Sequence, residues 1–306
     1  MTGLKALWIL IVVMLLLGAF AVAYLYYPEA EESLVNVCLH WEDYDPQNTM
    51  PYLVDLGVGW VRTDWLLTPD NPMRNYSQDL QDNNIKLLAI IDHKTFDYQI
   101  PTLEEWKETI TEIVTSEDFR NVDAVEIWNE PNSDAFDSYI EPDVYFEMLK
   151  SAYAIIKEHT NIPVVFAGVS PNVEGWQTYL NAVFAHNDTQ DYFDYMGLHF
   201  YDGNMTTNLD TLEFVESLTS KPIWLTETGQ PSATGDYTEA KQAEYLSSVY
   251  STFEPLVSKI FIYELRDGNG ETVPERENYF GLLTFEETKK PAYDIVWNIS
   301  RNQENK

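Results

Sequence analysis

Residues 123–132 read "DAVEIWNEPN". Val125 and Ile127 alternate with their neighbours in a short, mostly apolar run, which predicts a buried β-strand. Pro131 has no N–H to continue a ladder, so the strand stops on Asn129 and Glu130. A carboxylate at the end of a buried strand is seldom left without a partner or a task. Whether Glu130 has one depends on what the rest of the chain brings to the same place.

Seven more runs of this kind lie around it. Three precede it: "LVNVCLHW" (Leu34–Trp41), "VGWVRTDWL" (Val58–Leu66) and "IKLLAIID" (Ile85–Asp92). Four follow: "PVVFAGVS" (Pro163–Ser170), "YMGLHFY" (Tyr195–Tyr201), "PIWLTETG" (Pro222–Gly229) and "KIFIYELRD" (Lys259–Asp267). Segments of helical spacing separate them. After Thr102, Leu103, Trp106, Ile110 and Ile113 share one face. After Glu141 the same holds for Val144, Met148, Leu149, Tyr153 and Ile156. Stretches from Tyr237 and from Pro291 repeat the pattern. Strands alternating with helices imply parallel pairing through helical crossovers. Eight strands close a (β/α)8 TIM barrel, and 306 residues suffice for one. An open doubly wound sheet is the alternative, but its strand, Gly-x-Gly-x-x-Gly, helix signature is absent.

Barrel sites lie at the C-terminal strand ends. Those ends carry His40 and Trp41, Arg62 and Asp64, Asp92 and His93, Asn129 and Glu130, His199 and Tyr201, Glu227, and Tyr263 and Glu264. Glu130 on the fourth strand and Glu227 on the seventh would face each other across the mouth. Two carboxylates across a pocket are the minimum apparatus for cleaving a glycosidic bond.

"EIWNEPN" and "WLTETG" resemble the two signature strands of clan A glycoside hydrolases. The resemblance covers essentially all of residues 33–302 and extends to "YFGLLTFEETKKPAYDIV" near the end. The Asn-Glu-Pro-Asn run is most similar to family 39-like members. The resemblance implies a retaining mechanism, with Glu130 as acid/base, Glu227 as nucleophile and Asn129 on the sugar 2-hydroxyl. It also implies Arg62 and Tyr201 on Glu227, His199 near the sugar, and no cofactor or metal. Strand eight departs from the pattern. Many clan members place a Trp there as the floor under the reacting sugar, and here Tyr263 or Glu264 must serve. Trp41, Trp65 and Phe136 are candidate stacking platforms.

Two other readings compete. A metal-dependent barrel hydrolase would use His40, Asp92, His93 and His199, but no His-x-His strand is present. A tethered carbohydrate-binding barrel without catalysis would have no need of both carboxylates.

Composition narrows the partners. With 18 basic and 50 acidic residues the formal charge is −32. That field repels nucleic acid and anionic lipid, so no nucleic-acid partner is expected; the carbohydrate substrate is what the resemblance implies. Cys38 is the only cysteine, so no internal disulfide holds the domain. Ala6–Tyr27 is uncharged and apolar; as a helix it would span roughly 33 Å at about 1.5 Å per residue. Lys5 before it, with only Glu29, Glu31 and Glu32 after it, is a lone positive charge on the N-terminal side that favours that end inside and the remainder outside the cytoplasm. Residues 1–32 therefore read as an N-terminal transmembrane helix and linker, residues 33–302 as the catalytic barrel, and 303–306 as a polar tail. A cleaved signal peptide is the alternative, with Ala21-Val22-Ala23 as its processing site. The run is long for that, which favours a retained cell-membrane anchor. Asn-x-Ser/Thr triplets at Asn75, Asn187, Asn204 and Asn298 are compatible with export.

Overall fold

The computed structural model describes residues 33–40, 45–67, 72–135, 138–233, 235–270 and 275–303. The expected anchor within residues 1–32 lies outside the described residues, as do Trp41 and Phe136. Among the described residues no helix is long and apolar enough to cross a membrane.

Eight parallel strands close on themselves in chain order. They are β1 (Asn36–Cys38), β2 (Trp60–Asp64), β3 (Lys86–Ile91), β4 (Ala124–Asn129), β5 (Val164–Val169), β6 (Tyr195–Phe200), β7 (Ile223–Thr228) and β8 (Lys259–Ile262). Closure is parallel, Asn36 opposite Phe261. Among the described residues eight α-helices alternate with them: α1 (Pro46–Leu56), α2 (Pro72–Asp82), α3 (Leu103–Thr115), α4 (Pro142–His159), α5 (Trp176–Val183), α6 (Met205–Leu218), α7 (Glu239–Phe253) and α8 (Pro291–Gln303). Helix α3 begins where its sequence says it should. Thr102 caps it and Glu105 reaches back to the Thr102 N–H, a reciprocal capping box.

Strand side chains alternate between the helix layer and the barrel interior. At the N-terminal ends of the strands, Trp60, Leu88, Ala124, Val165, Trp224 and Phe261 fill the interior. Trp60 meets Trp224 edge-on at 5.4 Å. Lys259 lays its ammonium 4.7 Å from the Trp60 ring and 5.2 Å from Trp224. This apolar floor has a polar layer above it by the arithmetic of the pleat. Two residues on from Trp60 stands Arg62, and two on from Ala124 stands Glu126.

The outward-facing residues pack under the helices. Trp106, Ile110 and Ile113 of α3 join Val125 and Ile127 of β4 in one apolar cluster. Trp65 belongs here too. It is 1% exposed and meets Phe119 edge-on at 5.5 Å, so this candidate stacking platform is part of the core.

Candidate active site

Arg62 is the centre of the polar layer. Its side chain is 2% exposed. Nε donates to Glu126 Oε2 at 2.6 Å and Nη2 to Glu126 Oε1 at 3.2 Å. Nη1 donates to Glu227 Oε1 at 2.6 Å, and Nη2 also donates to Asn129 Oδ1 at 2.8 Å. Burial disfavours the guanidinium charge, but the Glu126 and Glu227 charges overcome it and hold the group firmly protonated. The bidentate grip of Glu126 sets the plane of the fork. With Oδ1 of Asn129 accepting from Arg62, the amide NH2 is the end that can donate to a ligand.

Glu227 is 8% exposed. Arg62 holds one oxygen; the Tyr201 hydroxyl donates to the other at 2.5 Å. Burial pushes the carboxyl pKa up. The charges of His199 and Arg62, with the hydrogen bonds from Tyr201 and Arg62, pull it down further, to about 2. Burial and the Glu227 charge both raise the Tyr201 phenol, which keeps it a donor.

His199 pairs with Glu227 in the β6–β7 register. Its Nδ1 lies 2.8 Å from Glu130 Oε1 and 3.4 Å from Glu227 Oε2. Burial lowers its pKa, but the Glu227 charge and the hydrogen bond to Glu130 outweigh that and raise it. Nε2 points at the backbone of Gly168 and has no hydrogen-bond partner. A Cβ on Gly168 would lie 1.9 Å from it, so glycine is obligatory where the imidazole is packed.

Glu130 sits just beyond β4 on a strained backbone. Its φ is +45° and that of Trp128 is +75°, left-handed values unusual for residues with a Cβ. The surroundings enforce them. The Glu130 N–H donates to Gly168 O at 3.0 Å, its carbonyl accepts from Ser133 N at 2.9 Å, and the Trp128 indole donates to Ser138 O at 2.7 Å. The twist turns the carboxyl toward β7. Oxygens of Glu130 and Glu227 and a nitrogen of His199 all lie within 4.8 Å of one another.

The remaining sequence candidates form a second group at β1 and β8. His40 Nε2 lies 2.8 Å from the Tyr263 hydroxyl and 3.0 Å from Glu264 Oε2. Burial opposes the imidazolium, and the Glu264 charge overrides it, raising His40 to about 9. Glu264 is 3% exposed and pairs with His40. Tyr263 stays half-buried, its ring edge-on to those of Tyr201 (6.1 Å) and Phe280 (5.4 Å).

Sequence reasoning missed two carboxylates. Glu126 orients Arg62; its signal was an acid four residues before Glu130, on the same inward parity, inside an otherwise apolar strand. Glu277 stands on a short 3-10 turn (Glu275–Tyr279), 3.0 Å from Arg276. Burial raises its pKa against the pull of Arg276, and the Glu227 and Glu130 charges add to the rise. It belongs to a loop, where no periodicity could have placed it.

The four residues of the metal-hydrolase reading do not assemble. His40 is engaged with Glu264, Asp92 caps the turn that follows β3, and His93 packs against Trp128 at 5.9 Å. Among the described residues, Glu130, His199 and Glu227 are the one group of three whose potential ligand atoms come together. Arg62 and Tyr201 already occupy both Glu227 oxygens, and the guanidinium charge opposes a cation there. The arrangement suits proton transfer and nucleophilic attack.

A family model described as glycosyl hydrolase catalytic core matches residues 76–277. The fold is also that of several solved structures. A family 39 glycoside hydrolase from the gut symbiont Bacteroides cellulosilyticus WH2 gives a TM-score of 0.67 at 21% identity, over 88% of this chain and 64% of that one. This chain thus spans less than two thirds of that relative. A GH5_18 protein from Streptomyces cattleya, in complex with Manb1-4GlcNAc, gives 0.68 at 14% identity, over 88% and 80%. The hyperthermophilic β-glucosidase from Pyrococcus furiosus gives 0.65 at 12% identity, over 90% and 96%. No curated protein sequence matches the chain.

Proposed function

The chain belongs to the glycosyl hydrolase catalytic core family, and on that premise we propose that it is a retaining enzyme for β-glycosidic bonds of an extracellular oligo- or polysaccharide. One observation carries this reading. Glu227 is kept ionised by Arg62 and Tyr201, while a Glu130 oxygen lies within 4.8 Å of it. Retaining pairs stand about 5–5.5 Å apart, and inverting pairs leave room for a water at about 6.5–9.5 Å.

In the first step Glu227 attacks the anomeric carbon. The carbon–oxygen bond to the leaving group breaks, and that oxygen takes the proton delivered by Glu130. The Glu130–His199 hydrogen bond, 2.8 Å between Oε1 and Nδ1, fixes the direction of the carboxyl. In the second step Glu130 takes a proton from water, whose oxygen attacks the same carbon and releases Glu227. Two inversions restore the configuration. The Asn129 amide, steadied by Arg62, binds the sugar 2-hydroxyl in this reading. Names of fold neighbours, such as β-glucosidase, support a β-linked substrate. The apolar run Ala6–Tyr27 supports a membrane tether with the barrel outside the cytoplasm.

Aryl β-glycosides with an acidic leaving group test the assignment. Glu227→Ala should abolish turnover of all of them. Glu130→Ala should still be glycosylated by such substrates, accumulate the glycosyl-enzyme, and be rescued by azide to a β-glycosyl azide. Residual Glu130→Ala turnover that azide does not affect would remove Glu130 from the acid/base role. A wild-type protein that binds glycans and cleaves none would leave a binding barrel.

A further inference from the structure

The loop after β3 opens at the catalytic mouth. Its first turn, His93–Phe96, is capped by Asp92 and ends in two consecutive left-handed residues, Asp97 (φ +55°) and Tyr98 (φ +61°). A tyrosine there sets its Cβ against the backbone, and such a conformation persists only where the surroundings impose it. Here the Asp97 N–H donates to Lys94 O at 3.3 Å and the Tyr98 N–H to His93 O at 2.8 Å.

The consequence is an aromatic ring held outward, 55% exposed. Its edge rests on His93 at 5.6 Å and 71°, and His93 lies against Trp128, two residues before Glu130. The same turn carries an ion pair with the last residue of β2. Lys94 Nζ donates to Asp64 Oδ2 at 2.7 Å, with side chains 23% and 6% exposed. Burial lowers the Lys94 pKa, and Asp64 and Asp92, with Tyr98 close by, raise it above its usual value.

A single exposed aromatic is ordinary on a protein surface. What distinguishes Tyr98 is the strained backbone that holds it out, the support beneath it that leads to the catalytic strand, and the polar pair at its side. A flat aromatic face matches the C–H face of a β-linked pyranose, and an ammonium–carboxylate pair matches its ring hydroxyls. We propose that Tyr98, with Lys94 and Asp64, forms a sugar-stacking subsite beyond the reacting sugar, so that the substrate is an oligo- or polysaccharide of β-linked pyranoses rather than a simple glycoside. This rests on the glycosidase reading above.

The test compares the full chain and its Tyr98 variants on an aryl β-monoglycoside and on a β-linked hexasaccharide of the same sugar. Tyr98→Gly suits the left-handed backbone, so its melting temperature should not fall. The ratio of hexasaccharide to aryl-glycoside kcat/KM should drop about tenfold in this variant, mainly through KM, an effect of the size expected for one lost aromatic contact. Tyr98→Phe keeps the ring and should keep the ratio. Equal losses on both substrates, or none on either, would overturn the subsite. A wild type whose kcat/KM does not rise with chain length would overturn it too, with the glycosidase reading left standing. Cleavage of neither substrate would sink that reading itself.

Discussion

Replacing Tyr201 by Phe deletes one hydroxyl and keeps the ring in its contacts with Tyr263 and Phe280. Glu227 then loses the donor on Oε2 and keeps Arg62 on Oε1. A hydrogen bond to a charged group is worth about 1.5–3 kcal/mol. At 1.36 kcal/mol per pKa unit, that raises the carboxyl by roughly one to two units, from about 2 to about 3–4. The sign follows from the reacting form. Glu227 works ionised, so activity is lost as pH falls through its pKa. The wild type should hold its kcat/KM with an aryl β-glycoside down to the acid edge of its stability. The variant should show an acid limb near pH 3–4. The same depressed pKa stabilises the fold above the unfolded value near 4.5, and that contribution fades as pH falls toward 2. The variant therefore has less to lose in acid and should melt a few degrees lower at neutral pH. An acid limb identical to wild type would refute the claim that Tyr201 keeps Glu227 charged. A displaced alkaline limb instead would place the hydroxyl on the acid/base.

Gly168→Ala would drive a methyl into His199 Nε2 and to within 2.6 Å of Thr226 Oγ1. Overpacking should cost roughly 1–3 kcal/mol and move the imidazole off Glu130, lowering kcat at least tenfold; a variant with wild-type kinetics and melting would show that the imidazole is not wedged. Glu126→Gln preserves shape but removes a charge from the fork of Arg62. Arg62 keeps Glu227 and so is not left unpaired, which limits the loss to about 1–3 kcal/mol. Glu126→Leu, which satisfies neither the fork nor the Gly168 N–H, should cost more, and calorimetric melts that do not separate the two variants would contradict this.

The barrel was legible because each strand is a short apolar run ending in polar residues, and all eight are present, trimmed by one to several residues. Four helices were not singled out. Helix α1 contains Pro51, which reads as a break; α2, "PMRNYSQDLQD", is largely polar; α5 is short, and the apolar face of α6 is poorly defined. At the site, the residues that announced themselves were those next to a strand terminus, such as Arg62, Glu130, His199, Tyr201 and Glu227. Strand eight was harder to interpret. Its regular pairing stops at Ile262, so periodicity gave no orientation for Tyr263 and Glu264, and Glu264 turns to His40. Glu126 was hidden by its neighbours, since a single acid in "AVEIWN" looks like noise until the inward parity is counted. Tyr98 and Glu277 lie on loops, where spacing carries no information about direction.

The two carboxylates are held by strands four and seven, and Arg62 of strand two clamps one of them directly and braces the other's neighbour, Asn129. Their spacing is thus set by the girth of the barrel, by a guanidinium crossbar and by the short turn after β4 that fixes the Glu130 backbone. The barrel behaves as a ruler for stereochemistry, while the loops at its mouth act as an exchangeable reading head for sugar identity and chain length. Grafting new loops after β3 or β8 should therefore change which glycan is cut and leave the anomeric outcome untouched. Altering Arg62 or Glu126 would disturb the ruler itself.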